Sequence, residues 1–268
     1  MKAFILLILF AFPLPAFNQD LPDSVYARIK ILLDKNSARP LSAPETREIK
    51  NLTYLIQNRG FGLQERLRDY KDALVYTDRA LAIWTELKDT ANEANLLKYR
   101  GLLLGNLGDF AQAKKEISKA MELFAIKKMD FGIAVSEFDL SRVFALENKP
   151  DSALYYANDS KEFWKIKENS DRIFTINNRL MNLYYVSNDL KKAKDVQEES
   201  QALLKESQTL LKNEKMEGLN LLDFYLLSER IYKKLASVEL ADNYRALYGI
   251  EIEDLKTGGR SIPKSDYE

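Results

Sequence analysis

The chain contains no cysteine and no histidine among its 268 residues. The absence of cysteine excludes disulfide bonds, thiolate nucleophiles, iron–sulfur clusters and cysteine-rich zinc sites. The absence of histidine excludes a Ser-His-Asp triad, a histidine general base and a histidine metal ligand. An enzyme with this sequence would therefore have to use carboxylate, serine, lysine or tyrosine chemistry.

The balance of charges and the scarcity of turn-forming residues indicate a helical protein. The 40 Lys and Arg residues are balanced by 40 Asp and Glu residues, so the net charge at pH 7 is zero. This balance provides no broad positive surface for nucleic acid, and we expect no nucleic-acid binding. Only 10 Gly and 7 Pro are present, while 30% of the residues are charged. Such a composition is typical of long helices with solvated faces.

A long apolar run lies at the N-terminus. Lys2 supplies a positive charge, residues 3–12 are all apolar, and Pro13 and Pro15 follow before Ala16. This order is typical of a secretory signal peptide, with cleavage after residue 16 or 17. The run is shorter than the roughly 20 residues of a membrane-spanning helix. We therefore expect an exported protein, periplasmic or secreted, with no stable membrane span after cleavage, and an uncleaved anchor is the alternative.

A repeat of 40 residues organises the middle of the chain. Ala73, Ala113, Ala153 and Ala193 follow one another at intervals of 40. Each alanine comes shortly after an aspartate, as in the segment that runs from Asp109 to Ala113. Self-similarity at a period of this size is the sequence signature of a solenoid of stacked repeats. We expect all four alanine side chains to be buried where two helices meet.

Each period contains two helices. In the second period, apolar and small residues recur at helical spacing over residues 94–105 and again over residues 110–124. Gly108 and Asp109 separate these two stretches. Glycine adopts the left-handed conformation that ends many helices, and aspartate caps the start of the next one. The pattern therefore predicts a helix pair with a short turn.

Further helix boundaries follow from the same rules. Asn148 and Asn188 take the place of that glycine in the next two periods, and asparagine is the second-best residue for a left-handed backbone. Pro150 suits the first turn of a helix, where its missing N–H costs nothing. The segments Ser42-Ala-Pro-Glu45 and Thr90-Ala-Asn-Glu93 are typical of capping boxes and predict two more helix starts.

The chain resembles the tetratricopeptide repeat (TPR) family, most closely over residues 97–124. Gly101 lies midway along the first helix of this segment, a glycine-aspartate-phenylalanine turn follows, and Ala113 and Ala120 lie on the second helix. Glycine inside a helix costs about 1 kcal/mol relative to alanine, so Gly101 indicates close approach of the partner helix. The 40-residue spacing is similar to longer-helix members of the family, such as extracytoplasmic TPR arrays of bacterial sensor proteins. The resemblance implies an all-α fold, a right-handed α-solenoid of stacked antiparallel helix pairs.

The resemblance also implies the domain organisation. It covers residues 44–249 as a TPR-like array of about five helix pairs, of which the fifth is diverged. The fifth pair is placed 47 residues after the fourth, so that Leu240 corresponds to Ala193 and Ser228 is its small first-helix residue. The remaining segments are a signal peptide at residues 1–17, an N-terminal capping helix at residues 18–43 and a polar flexible tail at residues 250–268.

A partner-binding groove is predicted on the first helices of the pairs. First helices of stacked repeats line a concave surface that such proteins use for recognition. Tyr, Arg and Asn on these helices offer anchors and forked hydrogen bonds of the kind enriched in binding sites. The predicted groove residues are Lys98, Tyr99, Phe138, Arg142, Asn178, Arg179, Asn182, Tyr185, Tyr225, Glu229 and Tyr232. Ordinary solvated helix surface is the alternative interpretation of each residue.

The function expected from this pattern is binding and not catalysis. We expect a protein or peptide partner in the groove, and we predict no catalytic residue, no cofactor and no metal site. Two alternatives remain open. The first alternative is a sensory input module that acts on a separate kinase or regulator. The second is an enzyme without histidine or cysteine chemistry.

Overall fold

The computed structural model describes residues 23–64, 68–210 and 218–257. Eleven α-helices and no strand are found in these residues, as the all-α prediction requires. Among the described helices, none combines the length and apolar character that a bilayer crossing needs. The predicted signal peptide lies outside the described residues, as does the end of the predicted tail.

The helices and their bounds are α1 (Asp23–Ala38), α2 (Ala43–Gly62), α3 (Tyr70–Glu86), α4 (Thr90–Asn106), α5 (Phe110–Ile126), α6 (Asp130–Leu146), α7 (Pro150–Ile166), α8 (Ser170–Val186), α9 (Leu190–Leu210), α10 (Gly218–Lys234) and α11 (Val238–Thr257). Helices α2, α4, α6, α8 and α10 are the first helices of five pairs, and α3, α5, α7, α9 and α11 are the second helices. The last helix continues through residues 250–257, which were expected to belong to a polar tail. Leu255 explains the difference, because its side chain is buried with 6% exposure.

Helices recur at half the period of the alanines. Helices α3 to α8 have 17 residues each, and consecutive helices begin 20 residues apart, as at Tyr70 and Thr90. Residues with a positive φ also recur every 20 positions in the connections before and after these helices; they are Arg68, Lys88, Gly108, Lys128, Asn148, Glu168 and Asn188. The left-handed conformation predicted for the glycine and the two asparagines is confirmed. At the other turns, the tertiary structure imposes it on side chains that do not favour it.

The predicted helix starts are confirmed with one correction. Ser42 forms the predicted capping box with Glu45 at the start of α2, and Pro150 is the first residue of α7. The cap of α4 is Asp89 and not Thr90, since the Asp89 carboxylate accepts a hydrogen bond from the backbone N–H of Asn92 at 3.3 Å. Aspartate is a strong N-cap residue, and threonine consequently becomes the first residue inside the helix.

The chain divides into two compact units, Met1–Leu123 and Phe124–Glu268. Unit 1 has a hydrophobic core in which Leu32 of α1, Trp84 of α3 and Leu103 of α4 are fully buried. Burial of such side chains contributes about 1.5–3 kcal/mol each. This core therefore ties the N-terminal helix to the first two pairs.

Polar contacts add to the attachment of α1. The Arg28 guanidinium donates two hydrogen bonds to the Glu48 carboxylate of α2, at 2.6 and 2.7 Å. Arg79 of α3 donates a hydrogen bond to the Tyr26 hydroxyl at 2.8 Å. Both ion pairs and hydrogen bonds at partly exposed sites contribute less than about 1 kcal/mol, so the buried leucine of α1 is the stronger attachment.

Unit 2 contains two core clusters that share helix α8. In one cluster, Phe174 of α8 and Phe224 of α10 are fully buried, with ring centroids 5.3 Å apart. In the other, Leu180 of α8 packs with Trp164 of α7 and Ala134 of α6. Because both clusters draw side chains from α8, this helix is at the centre of unit 2.

The four repeat alanines are buried as predicted. Ala73, Ala113, Ala153 and Ala193 each have 0% exposure. Close helix approach at the small residues is confirmed too. A Cβ atom added to Gly101 would lie 2.6 Å from Cγ1 of Ile117 and 2.8 Å from the carbonyl oxygen of Ala113. A larger side chain would force α4 and α5 apart.

The fifth pair is displaced by one residue from its predicted register. The positive-φ residue after Asn188 is Ala236, 48 residues later. Ala241 has 1% exposure and lies 48 residues after Ala193, whereas Leu240 is 43% exposed. The interval of 47 was therefore wrong. A shift of one residue rotates a helix by about 100°, so the predicted groove residues of α10 point elsewhere.

Candidate binding face on the first helices

Lys98 and Tyr99 are the predicted groove residues of unit 1, on α4. Lys98 is half-buried. Tyr99 packs against α2, where its ring lies 4.3 Å from that of Phe61 in an edge-to-face contact. The Tyr99 hydroxyl also donates a hydrogen bond to the carbonyl oxygen of Gly60 at 3.3 Å. This tyrosine therefore joins two first helices and presents little of itself to a partner.

On α6, Phe138 and Arg142 are half-buried and lie one helical turn apart. Phe138 packs at the edge of the core shared by α6, α7 and α8. The Arg142 guanidinium lies 3.7 Å from the carboxylate of Asp139, which is itself buried with 5% exposure. The two groups together give this helix an apolar anchor and a cation.

On α8, the predicted residues form a polar row that ends in an aromatic ring. Asn178 is buried with 2% exposure, whereas Arg179, Asn182 and Tyr185 are half-buried. The ammonium group of Lys234, on α10, lies 4.0 Å from the centroid of the Tyr185 ring. A cation at this distance from an aromatic face is attracted by the ring quadrupole, so this contact fixes α10 beside α8.

On α10, the predicted residues do not lie on this face. Tyr225 and Tyr232 are buried with 9% and 6% exposure. Tyr232 stacks on Tyr244 of α11 with centroids 5.6 Å apart, and its hydroxyl donates a hydrogen bond to Oε1 of Gln197 in α9 at 3.0 Å. Glu229 accepts hydrogen bonds from Arg245 of α11 at 2.8 and 2.9 Å. All three side chains therefore face the second helices, and their assignment to the groove is corrected.

The true register places other side chains of α10 on the face. Leu226, Arg230 and Lys233 lie 48 residues after Asn178, Asn182 and Tyr185. Leu226 and Arg230 are half-buried, and Lys233 is exposed. The missed signal is Ala241, a fifth small residue that continues the alanine series once the longer interval before α10 is allowed.

We define the first-helix face of unit 2 by these equivalent positions together with the adjacent residues Arg179 and Lys234. It consists of Phe138, Arg142, Asn178, Arg179, Asn182, Tyr185, Leu226, Arg230, Lys233 and Lys234. The side chains of α6 and α8 that flank it share one core, and α8 packs directly on α10. The three helices therefore hold this row of side chains on a rigid support.

The face carries an excess of positive charge. It contains five cations, and three carboxylates lie on or beside it. Asp139 is within 3.7 Å of Arg142, Glu229 is 3.0 Å from Lys233, and Asp223 of α10 is buried with 8% exposure. Burial opposes the shift, but hydrogen bonds from Lys233 and Arg245 hold the pKa of Glu229 below its ordinary value. By formal count, the five cations outnumber the three carboxylates.

The face has no arrangement that indicates metal or nucleophilic chemistry. Throughout the described ranges, His, Cys, Asp and Glu form no group of three or more suited to a metal ion. The groups that the face presents are guanidinium, ammonium, amide, phenol and apolar side chains, which bind other molecules through charge, hydrogen bonds and contact area. Side-chain groups of these kinds are suited to the binding of other molecules.

No protein-family model matches the chain, and no curated protein matches it either. Among solved structures, the chain is similar to BtubC (BKLC) from P. vanneervenii, with 15% identity and a TM-score of 0.66 over 92% of this chain and 94% of BtubC. It is also similar to a Rap protein complexed with competence and sporulation factor, with 14% identity and a TM-score of 0.65 over 89% of this chain and 68% of that one. The apo form of RapI gives 13% identity and a TM-score of 0.56 over 87% and 79% of the two chains.

At these identities the likeness concerns the fold. The match extends over most of this chain and most of BtubC, so it includes the succession of helix pairs and not a single pair. Together with the buried alanines, it confirms the predicted repeat architecture. The chain has the TPR-like fold, an all-α solenoid of helix pairs.

Proposed function

We propose that this protein is a non-catalytic, exported TPR-like protein that binds a protein or peptide partner along the first-helix face of unit 2. The observation that carries the proposal is the face itself. Aromatic, amide and guanidinium side chains lie on this face, arginine recurs at the equivalent positions Arg142 and Arg230, and most of the side chains of the face are half-buried. Half-buried Tyr and Arg residues on a rigid support lose little conformational entropy when a partner binds, and such residues dominate binding energies.

The fold similarity supports a binding role. A Rap protein of similar fold forms a complex with competence and sporulation factor. The present chain has 14% identity to that protein, so the comparison supports the class of function and gives no partner identity. Export rests on the order of charged, apolar and small residues at the N-terminus.

The experiment compares partner recovery by the wild-type chain and by the double variant Arg179→Ala and Tyr185→Ala. Tagged protein is used to recover partners from periplasmic extract or culture medium, and circular dichroism monitors the helices. We expect recovery of a stoichiometric partner to fall at least about tenfold, because truncation of central Tyr and Arg residues costs more than about 1 kcal/mol each.

The matched control is Lys191→Ala, at an exposed position on α9 away from the face. This variant is expected to recover the partner as the wild type does. Unchanged recovery by the double variant, with helices intact, would remove these two residues from the binding site. Catalytic turnover by the chain alone, without any stoichiometric partner, would contradict the non-catalytic assignment.

A further inference from the structure

Two isoleucines lie in solvent at the ends of α5 and α7. Ile126 is 72% exposed and Ile166 is 79% exposed, and no other large apolar side chain of the described residues is as exposed as these. Phe131, in the first turn of α6, is 54% exposed. Single exposed apolar residues are common on proteins, but a patch of them marks contact with another molecule or with a membrane.

The connections that carry these side chains lie next to each other in unit 2. The ring of Phe131 lies 5.2 Å from the ring of Trp164, near the end of α7, in an edge-to-face contact. The guanidinium group of Arg172, in the first turn of α8, lies 5.6 Å from the centroid of the same tryptophan ring. Ile166 follows Trp164 by two residues. The beginnings of α6 and α8 and the end of α7 therefore meet at one edge of the unit.

Lysines lie next to the exposed isoleucines on both connections. They are Lys127, Lys128, Lys165 and Lys167, and all four are exposed. Lys165 donates a hydrogen bond to Glu162 at 2.8 Å, and the Lys167 ammonium lies 5.6 Å from the centroid of the Phe163 ring. Lys127 and Lys128 form no ion pair with any carboxylate of the described ranges. A lysine side chain joins an apolar stem to a charged head, so it extends an apolar patch and adds positive charge at its border.

We call residues 125–132 and 165–172 the lysine–isoleucine edge. By formal count these two segments contain five cations and three carboxylates. Asp130 and Asp171, two of the three carboxylates, lie in the first turns of α6 and α8, where the partial positive charge of a helix N-terminus compensates part of theirs. The edge therefore combines exposed apolar side chains with positive charge.

The opposite helix ends of unit 2 do not combine these properties. Leu146 at the end of α6 is 49% exposed, and Val186 at the end of α8 is 62% exposed. The equivalent segments there, residues 145–152 and 185–192, contain three cations and three carboxylates by formal count. Two of the three lysines in them lie 3.0 Å from a carboxylate. Of the two edges, the lysine–isoleucine edge is the one with an excess of cations.

We infer that the lysine–isoleucine edge docks on the surface of a phospholipid bilayer that contains anionic lipids. Ile126, Phe131 and Ile166 enter the boundary between headgroups and acyl chains, and the lysine ammonium groups contact lipid phosphates. A second copy of the chain complements the edge less well, because a symmetric contact brings the lysines of both copies together. The edge shares no residue with the first-helix face, so this site is additional to the proposed peptide site.

Sedimentation with vesicles tests the inference. Vesicles of phosphatidylcholine with about 30% phosphatidylglycerol are compared with vesicles of phosphatidylcholine alone. The full chain is measured beside the chain without residues 3–12, because that apolar run can itself enter a bilayer, and circular dichroism monitors the helices. We expect the chain without the run to bind anionic vesicles at least about tenfold more tightly, since each lysine near such a surface strengthens binding about fivefold. About 0.5 M NaCl should remove most of this preference.

Serine variants assign the apolar part of the contact. The double variant Ile126→Ser and Ile166→Ser is expected to bind anionic vesicles at least about tenfold more weakly, because two exposed apolar side chains no longer enter the bilayer. The double variant Leu146→Ser and Val186→Ser removes exposed apolar side chains from the opposite helix ends and should bind as the wild type.

Glutamine variants assign the charge. The double variant Lys127→Gln and Lys128→Gln is expected to lose most of the preference for anionic vesicles and to keep its binding to phosphatidylcholine alone. The double variant Lys191→Gln and Lys192→Gln removes the same charge from exposed positions at the opposite edge and should keep the preference.

Each outcome supports or overturns a stated claim. Equal binding of both kinds of vesicle by the wild type would overturn the preference for anionic lipid. Unchanged vesicle binding by the Ile126→Ser and Ile166→Ser variant would overturn the assignment to this edge. A wild-type dimer in sedimentation velocity that is lost in this variant, without vesicle binding, would make the edge a contact between copies. Partner recovery from extracts is a separate measurement, so failure of the vesicle experiment leaves the proposed function in place.

Discussion

Glu137 is a half-buried carboxyl group on α6, and Asp159 on α7 brings a second negative charge towards it. Burial, followed by the repulsion from Asp159, raises the pKa of Glu137 to about 7 from its usual value of 4.5. In the unfolded chain the same group loses its proton near the usual value. Between these two pH values the folded protein therefore holds a proton that the unfolded chain does not.

The sign of the pH effect follows from this difference. As pH rises from about 4.5 to about 7, the free energy of unfolding falls, because the unfolded chain releases the Glu137 proton while the folded state, in which a buried charge is unfavourable, keeps it. We expect Glu137→Gln to remove this loss and to be more stable than the wild type at about pH 8 by on the order of 1 kcal/mol. At about pH 5, where the wild-type carboxyl group is protonated in the folded state, the two proteins should be similarly stable.

Urea titrations at these two pH values measure the effect. Glu122→Gln, at an exposed position on α5, is the control. It should leave the difference between the free energies of unfolding at the two pH values as it is in the wild type. If Glu137→Gln shows the wild-type pH dependence, the carboxyl group does not titrate as the structure indicates.

Two glycines respond to alanine in opposite directions. Gly101→Ala would place a Cβ atom 2.6 Å from Ile117 and 2.8 Å from a backbone oxygen, whereas a Cβ atom at Gly249 of α11 meets nothing within 4 Å. Alanine adds about 1 kcal/mol of helix propensity at both positions, but overpacking at Gly101 costs about 1–3 kcal/mol. We therefore expect Gly249→Ala to raise the free energy of unfolding and Gly101→Ala to lower it. Thermal and urea denaturation of the pair check this, and a stabilised Gly101→Ala would show that α4 and α5 are less closely packed.

At the scale of elements, the connections between helices are uniform although their sequences are not. The middle residue of each three-residue connection from α3 to α9 is left-handed, from Lys88 to Asn188. Glycine or asparagine occupies the turn within the second, third and fourth pairs. Lysine or glutamate occupies the turn between pairs, where φ is 54° at Lys88, 56° at Lys128 and 52° at Glu168. The helix packing on both sides fixes these turns, because the residues themselves disfavour the conformation.

Glycine at a turn between pairs should therefore stabilise the protein. A left-handed residue with a Cβ atom costs about 1–2 kcal/mol, while glycine gives the unfolded chain about 0.4–1 kcal/mol of extra entropy. We expect Lys128→Gly to raise the free energy of unfolding by about 0.5–1 kcal/mol. Lys127→Gly removes the same charge one residue earlier, where φ is not positive, and should lower the free energy of unfolding. Urea titration distinguishes the two, and equal losses in both variants would contradict the assigned strain.

At the scale of the whole molecule, the apolar N-terminus gives the clearest expectation about the mature chain. Residues 3–12 are apolar and follow Lys2, as in a secretory signal peptide. We expect exported protein to begin after residue 16 or 17, and N-terminal sequencing of material from the periplasm or medium measures this. Deletion of residues 3–12 should keep the protein in the cell. Exported protein with Met1 intact would contradict cleavage.

The first-helix face of unit 2 also goes beyond a single helix, since three helices contribute to it. Its charge depends on where α10 begins, and the interval from the fourth pair to the fifth is 48 residues instead of 40. The periodic pattern does not give this number, because the residues between α9 and α10 interrupt the period. For this reason, the residues predicted on α10 are one position away from the equivalents of those predicted on α8.

Local sequence determined the helices, their caps and the repeat. Glycine and asparagine at turns and aspartates at helix starts act through interactions within a few residues, and the alanines recur at a fixed interval of 40, so a single chain reveals both. The tertiary structure alone decided which side chains of α10 face outward, which turn residues adopt a strained conformation, and how the pKa of Glu137 is raised. These properties depend on contacts between helices that are far apart in sequence, and a one-residue change of register is enough to exchange the buried Tyr232 for the exposed Lys233.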